Sequence, residues 1–240
     1  MYTFDSRIRY SESDSEGVLT DTALVDYFQD CSSMQSDDLG IGSDYLREHR
    51  IGWVVNFWQI DIMRMPRLSE RVVTGTSPYE LKGMLGLRNF LMTTKEGETL
   101  AVANSVWTMI DMEKLRPIKV PEEIMDKYEV FPKFDMEYAG RKLVLPDVTP
   151  EETGETMVRE YQIDTNGHMN NAWYLRLSRG ALPDRFNGRR EKRLLIEYKK
   201  MAFLGDPLRI VRYDEADTVT VVLSDKEGKT CAIVRFVYEA

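Results

Sequence analysis

The feature that most constrains the fold of this 240-residue chain is a repeat between its two halves. The run DTNGH at 164–168 is matched 150 positions earlier by DSEGV at 14–18, which shares its aspartate, hydroxyl and glycine positions. An amphipathic segment follows each run, at 22–37 and at 172–186, and predicts a helix in each half. Further on, PRLSERVV (66–73) resembles AFLGDPLRIV (202–211) at a somewhat shorter spacing. We therefore predict two structural repeats of roughly a hundred residues each.

The two copies differ at the positions that could carry chemistry. The second copy has Asn166 and His168 where the first has Glu16 and Val18. His49 is the only other histidine, so few side chains could act as a general base near neutral pH. A purely structural turn gives no reason for this asymmetry, although drift could also produce it. Chemistry in the second half and a supporting role in the first would explain it directly.

Composition sets limits on the class of protein. With 42% hydrophobic residues, the chain can bury one substantial core or two fused smaller ones. It contains no apolar run of membrane-spanning length, and its N-terminus is too polar for a signal peptide. Cys31 and Cys231 have neither a metal-binding spacing nor the pattern of a disulfide scaffold. We expect a cytoplasmic protein that needs no metal or organic cofactor, since no ligand cluster or glycine-rich phosphate loop is evident.

Charge is distributed unevenly along the chain. The net charge of −8 argues against nucleic acid as the main partner. A basic cluster nevertheless follows the second predicted helix, formed by Arg185, Arg189, Arg190, Lys192 and Arg193. This cluster is either a solvated loop or a docking patch for an acidic carrier, which a local positive field can attract. The oligomeric state is left open, with a homodimer as one of the options.

Proline and charged residues mark a connector between the repeats. We predict an N-terminal unit at 1–120, a connector at 121–156 and a C-terminal, catalytic unit at 157–240. A short helix is expected around residues 122–128. Apolar residues such as Val130 and Phe131 indicate that the connector is not a disordered tether.

Three segments in the expected order carry a resemblance to a known family. DTNGHMNNAWYL (164–175) is the most specific, and LIEYKKMAFLGD (195–206) and SVWTMIDMEKLRPIKVPEEI (105–124) support it. The sequence resembles the acyl carrier protein (ACP) thioesterases, in the bacterial relatives of the plant fatty acyl thioesterases, over nearly the whole chain. The resemblance implies an α+β tandem hot-dog fold, in which an antiparallel sheet wraps a long central helix in each unit. It also implies hydrolysis of fatty acyl-ACP thioesters in fatty acid biosynthesis.

The resemblance assigns the site residues one by one. Asp164, Asn166 and His168 match the family's catalytic positions. Met201 and Ala202 occupy the two positions at which family members often carry an acidic residue and, in the plant enzymes, a cysteine. Neither can transfer a proton or attack a carbonyl, so a cysteine nucleophile is excluded at that place.

A division of roles can be predicted for these three residues. We expect His168 to take a proton from water and Asn166 to orient the water or the substrate carbonyl. Backbone N–H groups at the start of the following helix would stabilise the oxyanion. Direct attack by Asp164, forming an anhydride, stays open.

The resemblance also concerns the acyl tail and the choice of carrier. Residues 53–58 (WVVNFW) either fill the core or, as the resemblance implies for the first unit, shape the acyl pocket, with Trp53 a candidate for setting chain length. Acyl-coenzyme A is an alternative substrate, and a non-catalytic acyl-binding protein is an alternative from a different class. A hot-dog dehydratase fits the pattern less well.

Overall fold

In the computed structural model, which describes residues 1–239, the chain forms two compact units that divide between Tyr138 and Ala139. The first unit contains β1 (Tyr2–Arg7), α1 (Asp21–Asp38), α2 (Ser43–Glu48), β2 (Ile51–Ile62), β3 (Arg71–Lys82), β4 (Leu85–Thr94), β5 (Thr99–Asp111), β6 (Arg116–Pro117) and α3 (Glu122–Met125). The second contains β7 (Glu151–Met157), α4 (Asn171–Arg179), β8 (Glu191–Tyr198), β9 (Pro207–Asp214), β10 (Thr218–Ser224) and β11 (Thr230–Tyr238).

Both units arrange their strands in the same way. In the first unit the antiparallel order is β1-β3-β4-β5-β2, with the short β6 pairing beside β5. In the second unit the order is β7-β9-β10-β11-β8, so each of these five strands has a counterpart at the same place in the first unit. Antiparallel strands packed against a helix in each unit confirm the predicted α+β class and the predicted repeat.

Helix α1 lies against β1 and β3 in the first unit. It begins after Thr20, whose side chain accepts a hydrogen bond from the amide of Ala23, as N-cap threonines do. Phe28, Cys31 and Gln35 recur at helical spacing and are buried, which gives the helix one core-facing side. The Phe28 ring lies 5.4 Å from the ring of Phe90 on β4, so the centre of the helix packs on the middle of the sheet.

Helix α4 is shorter than predicted. It packs on β10 and β11 but spans only nine residues and ends at Arg179, although the amphipathic pattern continues to residue 186. Pro183 explains the difference, because it has no amide hydrogen to donate and disfavours helical backbone at the residue before it. The remainder of the predicted helix is a single 3-10 turn at Asp184–Phe186. Among the described residues, no helix combines the length and the apolar character needed to cross a bilayer.

The stretch expected to connect the repeats contains ordered elements. The predicted short helix is present as α3, and Ile124 and Tyr128 pack in the first unit with Ile41, Met109 and Val120. In the second unit, β7 begins at residue 151 and pairs with β9. The boundary between the compact units therefore falls inside the predicted connector, while the functional limits at 120 and 157 stay a prediction.

Candidate active site

The site is built on a tight turn that leads into α4. The amide of Asp164 donates to the carbonyl of His168 at 3.0 Å, and the amide of Gly167 donates to the carbonyl of Asp164 at 3.0 Å. Gly167 has a φ of 81°, a left-handed conformation that glycine adopts at little cost. The Oδ1 atom of Asp164 also accepts the amide of Asn166 at 2.8 Å. The backbone geometry of the turn is therefore sufficient to explain why Asp164 and Gly167 occupy these positions.

The first unit contains the same turn. The amide of Asp14 donates to the carbonyl of Val18 at 2.8 Å, the amide of Gly17 donates to Asp14 at 3.0 Å, and Gly17 has a φ of 69°. The Oδ1 atom of Asp14 accepts the amide of Glu16 at 2.9 Å. The repeat is thus confirmed at the level of individual hydrogen bonds.

The supporting segments correspond as well. The amide of Leu19 donates to the carbonyl of Pro66 at 2.9 Å, and the amide of Met169 donates to the carbonyl of Ala202 at 2.8 Å. Pro66 and Ala202 are the first residues of the two segments that resemble each other in the sequence. The same kind of backbone bond therefore anchors both turns.

Asp164 and His168 are in contact in the second turn. The Oδ2 atom of Asp164 lies 3.6 Å from Nδ1 of His168, and the two side chains are only 14% and 15% exposed. The same Nδ1 atom lies 3.3 Å from the carbonyl oxygen of Met169. Since Nδ1 faces two acceptors, we assign its hydrogen there, which leaves the lone pair on Nε2. Among the described residues, none forms a hydrogen bond with Nε2, so this atom can accept a proton from water or substrate.

Asn166 is placed on the same turn but is not joined to this pair. It is exposed, and its backbone amide rather than its side chain contacts Asp164. Its carboxamide has no hydrogen-bond partner within residues 1–239. The structure therefore brings two of the three predicted side chains together and leaves the third directed at no protein group.

The capping residue of α4 occupies two backbone amides at the start of the helix. Asn170 is the N-cap, and its Oδ1 accepts the amide of Ala172 at 2.9 Å. The carbonyl of Asn170 accepts the amide of Trp173 at 3.0 Å. Backbone amides at the start of this helix were expected to stabilise an oxyanion, and Asn170 uses those of Ala172 and Trp173.

Tyr174 supports the segment at residues 200–202, a role that the sequence did not predict. Its hydroxyl accepts the amide of Ala202 at 3.0 Å and donates to the carbonyl of Lys200 at 3.4 Å. Burial raises the pKa of Tyr174, and the negative charge of Asp164 acts in the same direction. A tyrosine at a helical core position usually predicts packing, so its spacing gave no signal. Its hydroxyl fixes the segment that carries Met201 and Ala202.

Glu197 and His49 can also be placed in the structure. The carboxylate of Glu197, on β8, accepts the amide of Leu143 at 2.9 Å and lies 3.4 Å from Lys199 Nζ. It is therefore already paired with neighbouring protein groups. His49 is exposed at the end of α2, where Nδ1 lies 2.8 Å from the carbonyl of Tyr45 and the two rings stack. No group of three potential metal ligands occurs among the residues that the structure describes.

The basic cluster after α4 is partly engaged within its own unit. Arg185 donates to the carbonyl of Glu215 at 2.8 Å, and Arg189 lies 3.4 Å from Asp217. Both guanidinium groups also lie over the ring of Phe186, at 4.7 and 5.1 Å from its centre. Lys192 is exposed. Part of this charge is thus neutralised locally, and part faces solvent.

Two related α+β units, one with an Asp–His pair on its turn, define a tandem protein with a single candidate site. Family models agree: the acyl-ACP thioesterase N-terminal domain matches residues 1–128, and the acyl-ACP thioesterase C-terminal domain matches residues 147–235. The chain belongs to the acyl-ACP thioesterase family, and its fold is the tandem hot-dog that the resemblance implied.

Individual relatives support this membership. The chloroplastic acyl-ACP hydrolase FATB3 of Cuphea viscosissima is 27% identical over 85% of this chain and 51% of its own length. An acyl-ACP thioesterase from Bacteroides thetaiotaomicron superimposes with a TM-score of 0.88 at 22% identity, covering 99% of this chain and 97% of that one. The 12:0-ACP thioesterase of Umbellularia californica gives 0.85 at 19% identity, covering 99% and 96%. The chain spans about half the length of the curated relatives that it matches, or less.

Proposed function

We propose that this chain hydrolyses fatty acyl-ACP thioesters to free fatty acid and carrier protein. The observation that carries the proposal is the contact between Asp164 Oδ2 and His168 Nδ1, which turns the unprotonated Nε2 away from the carboxylate. A hydrolase of this kind needs an activated water, a polarised carbonyl and a leaving thiolate that receives a proton. Each requirement has a candidate group on the turn.

His168 acts as the general base. Nε2 takes a proton from water as the water oxygen attacks the thioester carbonyl, and the resulting imidazolium is stabilised by the nearby carboxylate. When the tetrahedral intermediate collapses, the carbon–sulfur bond breaks and the imidazolium returns its proton to the sulfur. General-base assistance of this kind contributes about 10²–10⁴-fold.

Asp164 orients and stabilises the imidazole rather than attacking the substrate. Its Oδ1 is already bonded to the amide of Asn166, and its Oδ2 faces the histidine ring. A carboxylate with one oxygen bonded within the turn and the other facing the imidazole is placed to orient the ring, so this geometry favours water over an anhydride intermediate. Water is therefore the nucleophile in the proposed mechanism, and Asp164 is not.

Asn166 binds the substrate carbonyl or the attacking water. Its carboxamide is exposed beside the Asp–His pair and has no protein partner among residues 1–239, so its donors are available to a ligand. The amides of Ala172 and Trp173 are occupied by Asn170, which leaves Asn166 as the side-chain donor proposed for the oxyanion.

Surface charge and cysteine chemistry bear on the partner and the compartment. The acidic carrier docks at the basic cluster formed by Arg185, Arg189, Arg190, Lys192 and Arg193. Exposure of Lys192 supports this, while the internal bonds of Arg189 reduce its share. The free thiols of Cys31 and Cys231 suit a reducing cytoplasm.

A comparison of carriers tests the proposal. Purified chain is offered the same acyl group on ACP and on coenzyme A, and released thiol is measured together with the fatty acid product. We expect faster turnover on the ACP thioester and loss of turnover in Asp164→Asn and His168→Ala. Binding of acyl groups without thiol release would instead identify a non-catalytic acyl-binding protein, and faster turnover on coenzyme A would reassign the carrier.

A further inference from the structure

The carbonyl of Met169 is one of the two acceptors that Nδ1 of His168 faces. Its oxygen lies 3.3 Å from Nδ1, and the carboxylate of Asp164 lies 3.6 Å from the same atom. The hydrogen bond made by one ring nitrogen determines which nitrogen of a neutral histidine keeps a free lone pair. The groups that hold the Met169 peptide in place therefore influence the base, even when they lie away from the substrate.

The Met169 peptide is anchored on the segment that joins β8 to β9. Its amide donates to the carbonyl of Ala202 at 2.8 Å. Met169 and Ala202 are each only 1% exposed, so water does not compete for this bond. Buried backbone groups are paired in nearly all native structures, because an unpaired group loses the hydrogen bond that it makes with water when unfolded. A displacement of Ala202 would therefore displace Met169 with it.

The hydroxyl of Tyr174 fixes Ala202 in turn. It accepts the amide of Ala202 at 3.0 Å and donates to the carbonyl of Lys200 at 3.4 Å. Tyr174 is only 2% exposed, and its ring packs edge-on against that of Tyr198, with 5.5 Å between the ring centres. Burial raises the pKa of Tyr174, so the hydroxyl keeps the proton that it donates to Lys200. Helix α4 thus holds the segment through one buried side chain.

The middle of this segment has few other bonds. The amides of its first two residues, 199 and 200, donate to the carbonyl of Cys231 on β11. Its far end closes as a turn at residues 203–206. Between these points, within residues 1–239, the amide of Ala202 has no acceptor other than the Tyr174 hydroxyl. Loss of that hydroxyl would leave a buried amide unpaired and loosen the segment.

The first unit makes the same backbone bond without a hydroxyl. Leu24 corresponds to Tyr174, because each lies four residues after the N-cap of its helix, and Leu24 is fully buried. Pro66, which corresponds to Ala202, accepts the amide of Leu19 but has no amide hydrogen of its own. Such a unit can therefore fold without a hydroxyl at this place. The tyrosine occurs in the unit whose turn carries the imidazole.

These contacts connect Tyr174 to the base. We infer that Tyr174 is a positioning residue, which keeps the imidazole of His168 in the tautomer with its hydrogen on Nδ1. It acts through the amide of Ala202 and the carbonyl of Met169. The kinetic consequence rests on the proposed function, whereas the tautomer can be measured without any turnover.

Nitrogen NMR on the full chain, with isotope-labelled histidine, measures the tautomer directly. His49 is the only other histidine, so His49→Gln assigns the two rings and His49 supplies an internal reference. In the wild type, the neutral ring of His168 should carry its hydrogen on Nδ1. In Tyr174→Phe, which removes only the hydroxyl, the ratio of Nε2–H to Nδ1–H should rise at least about fivefold, because an acceptor of Nδ1–H is displaced.

Turnover and a matched variant provide the second readout. Tyr174→Phe should lower kcat on an acyl-ACP thioester by about fivefold to thirtyfold, since fewer rings hold the productive tautomer. KM should stay within about twofold, because the partners of the hydroxyl are Ala202 and Lys200. Tyr27→Phe is the matched control, because Tyr27 is a buried tyrosine on α1 whose hydroxyl is bonded within the first unit. It should leave the histidine spectrum and kcat unchanged.

A Tyr174→Phe chain that does not fold leaves two measurements on the wild type. The amides of Ala202 and Met169 should exchange with solvent at a common rate, at least about tenfold more slowly than the amide of the exposed Leu204, because they open together. Rapid exchange at Ala202 would overturn the inference, and so would a His168 ring with its hydrogen on Nε2.

Three results with folded variants would also overturn it. The first is an unchanged histidine spectrum in Tyr174→Phe, even with a lowered kcat, because that loss would be merely structural. The second is an equal spectral change in Tyr27→Phe. The third is an unchanged kcat in Tyr174→Phe of a chain that hydrolyses thioesters, which would keep the proposed function. A chain that shows the tautomer change but hydrolyses no thioester would reject the proposed function and keep the positioning of the imidazole.

Discussion

Replacing Asp164 by asparagine separates the two roles that this residue has in the turn. The carbonyl oxygen of the new side chain can still accept the amide of Asn166, so the turn should persist. The amide nitrogen would replace Oδ2 beside His168 and remove the negative charge. A donor facing Nδ1 also favours the tautomer with its hydrogen on Nε2, which is then unable to accept a proton.

The distance sets the size of the effect. For unit charges separated by the observed 3.6 Å, the attraction between carboxylate and imidazolium is about 1 kcal/mol in water and about 5 kcal/mol at an effective dielectric constant of about 20. The two side chains are 14% and 15% exposed, which places the pair between these limits. Losing this stabilisation should lower kcat by roughly tenfold to a few thousandfold. The separation exceeds that of a hydrogen bond, so the effect is electrostatic in origin.

The assay is thiol release from an acyl-ACP thioester under saturating substrate, followed by a thermal melt of each protein. Asp14→Asn is the matched control, because Asp14 accepts the same backbone amide in the equivalent turn of the first unit. We expect both variants to melt within about 4 °C of the wild type. Only Asp164→Asn should lose activity. A wild-type kcat in Asp164→Asn would refute the assignment of a base supported by a carboxylate.

Four further outcomes are expected. His168→Ala should lower kcat by about 10²–10⁴-fold in the thiol-release assay while the melting temperature is retained; unchanged turnover would remove His168 from the mechanism. Because burial raises the pKa of Cys31 to about 12 and of Cys231 to about 11, both thiols stay protonated at pH 8, and iodoacetamide should leave activity intact; inactivation would point to a cysteine that takes part in the reaction. Gly167→Ala, at a φ of 81° with no atom within 4 Å of the added carbon, should cost about 1–2 kcal/mol by denaturant unfolding, as should Gly17→Ala, but only the former should reduce kcat. Trp53→Leu should shift the product profile towards longer chains by gas chromatography, and an unaltered profile would argue against Trp53 as a wall of the acyl pocket.

Local patterns predicted the elements that depend on local interactions. The first amphipathic segment, 22–37, matches α1 to within one residue at each end, because its cap and its apolar spacing both lie in the sequence. The second helix is shorter than predicted because Pro183 stops it, whereas the amphipathic pattern of the sequence continues beyond that point.

The candidate site was predicted only in part, for a physical reason. A four-residue separation within a tight turn suffices to bring Asp164 and His168 together. The carbonyl of Met169, which completes the tautomer assignment, and the hydroxyl of Tyr174, which holds residues 200–202, act through contacts that no spacing encodes. Side-chain partners fixed by tertiary packing are beyond single-sequence reasoning.

The two equivalent turns also show which of their residues are explained by backbone geometry alone. Both turns use an aspartate to hold the amide two positions on, and both use a glycine with positive φ, so these residues are explained by backbone geometry in either unit. Neither requirement extends to the residue that follows the glycine, which is Val18 in one turn and His168 in the other. Backbone geometry therefore accounts for the turn in both units but not for the imidazole in one, and the chemistry proposed here accounts for that difference.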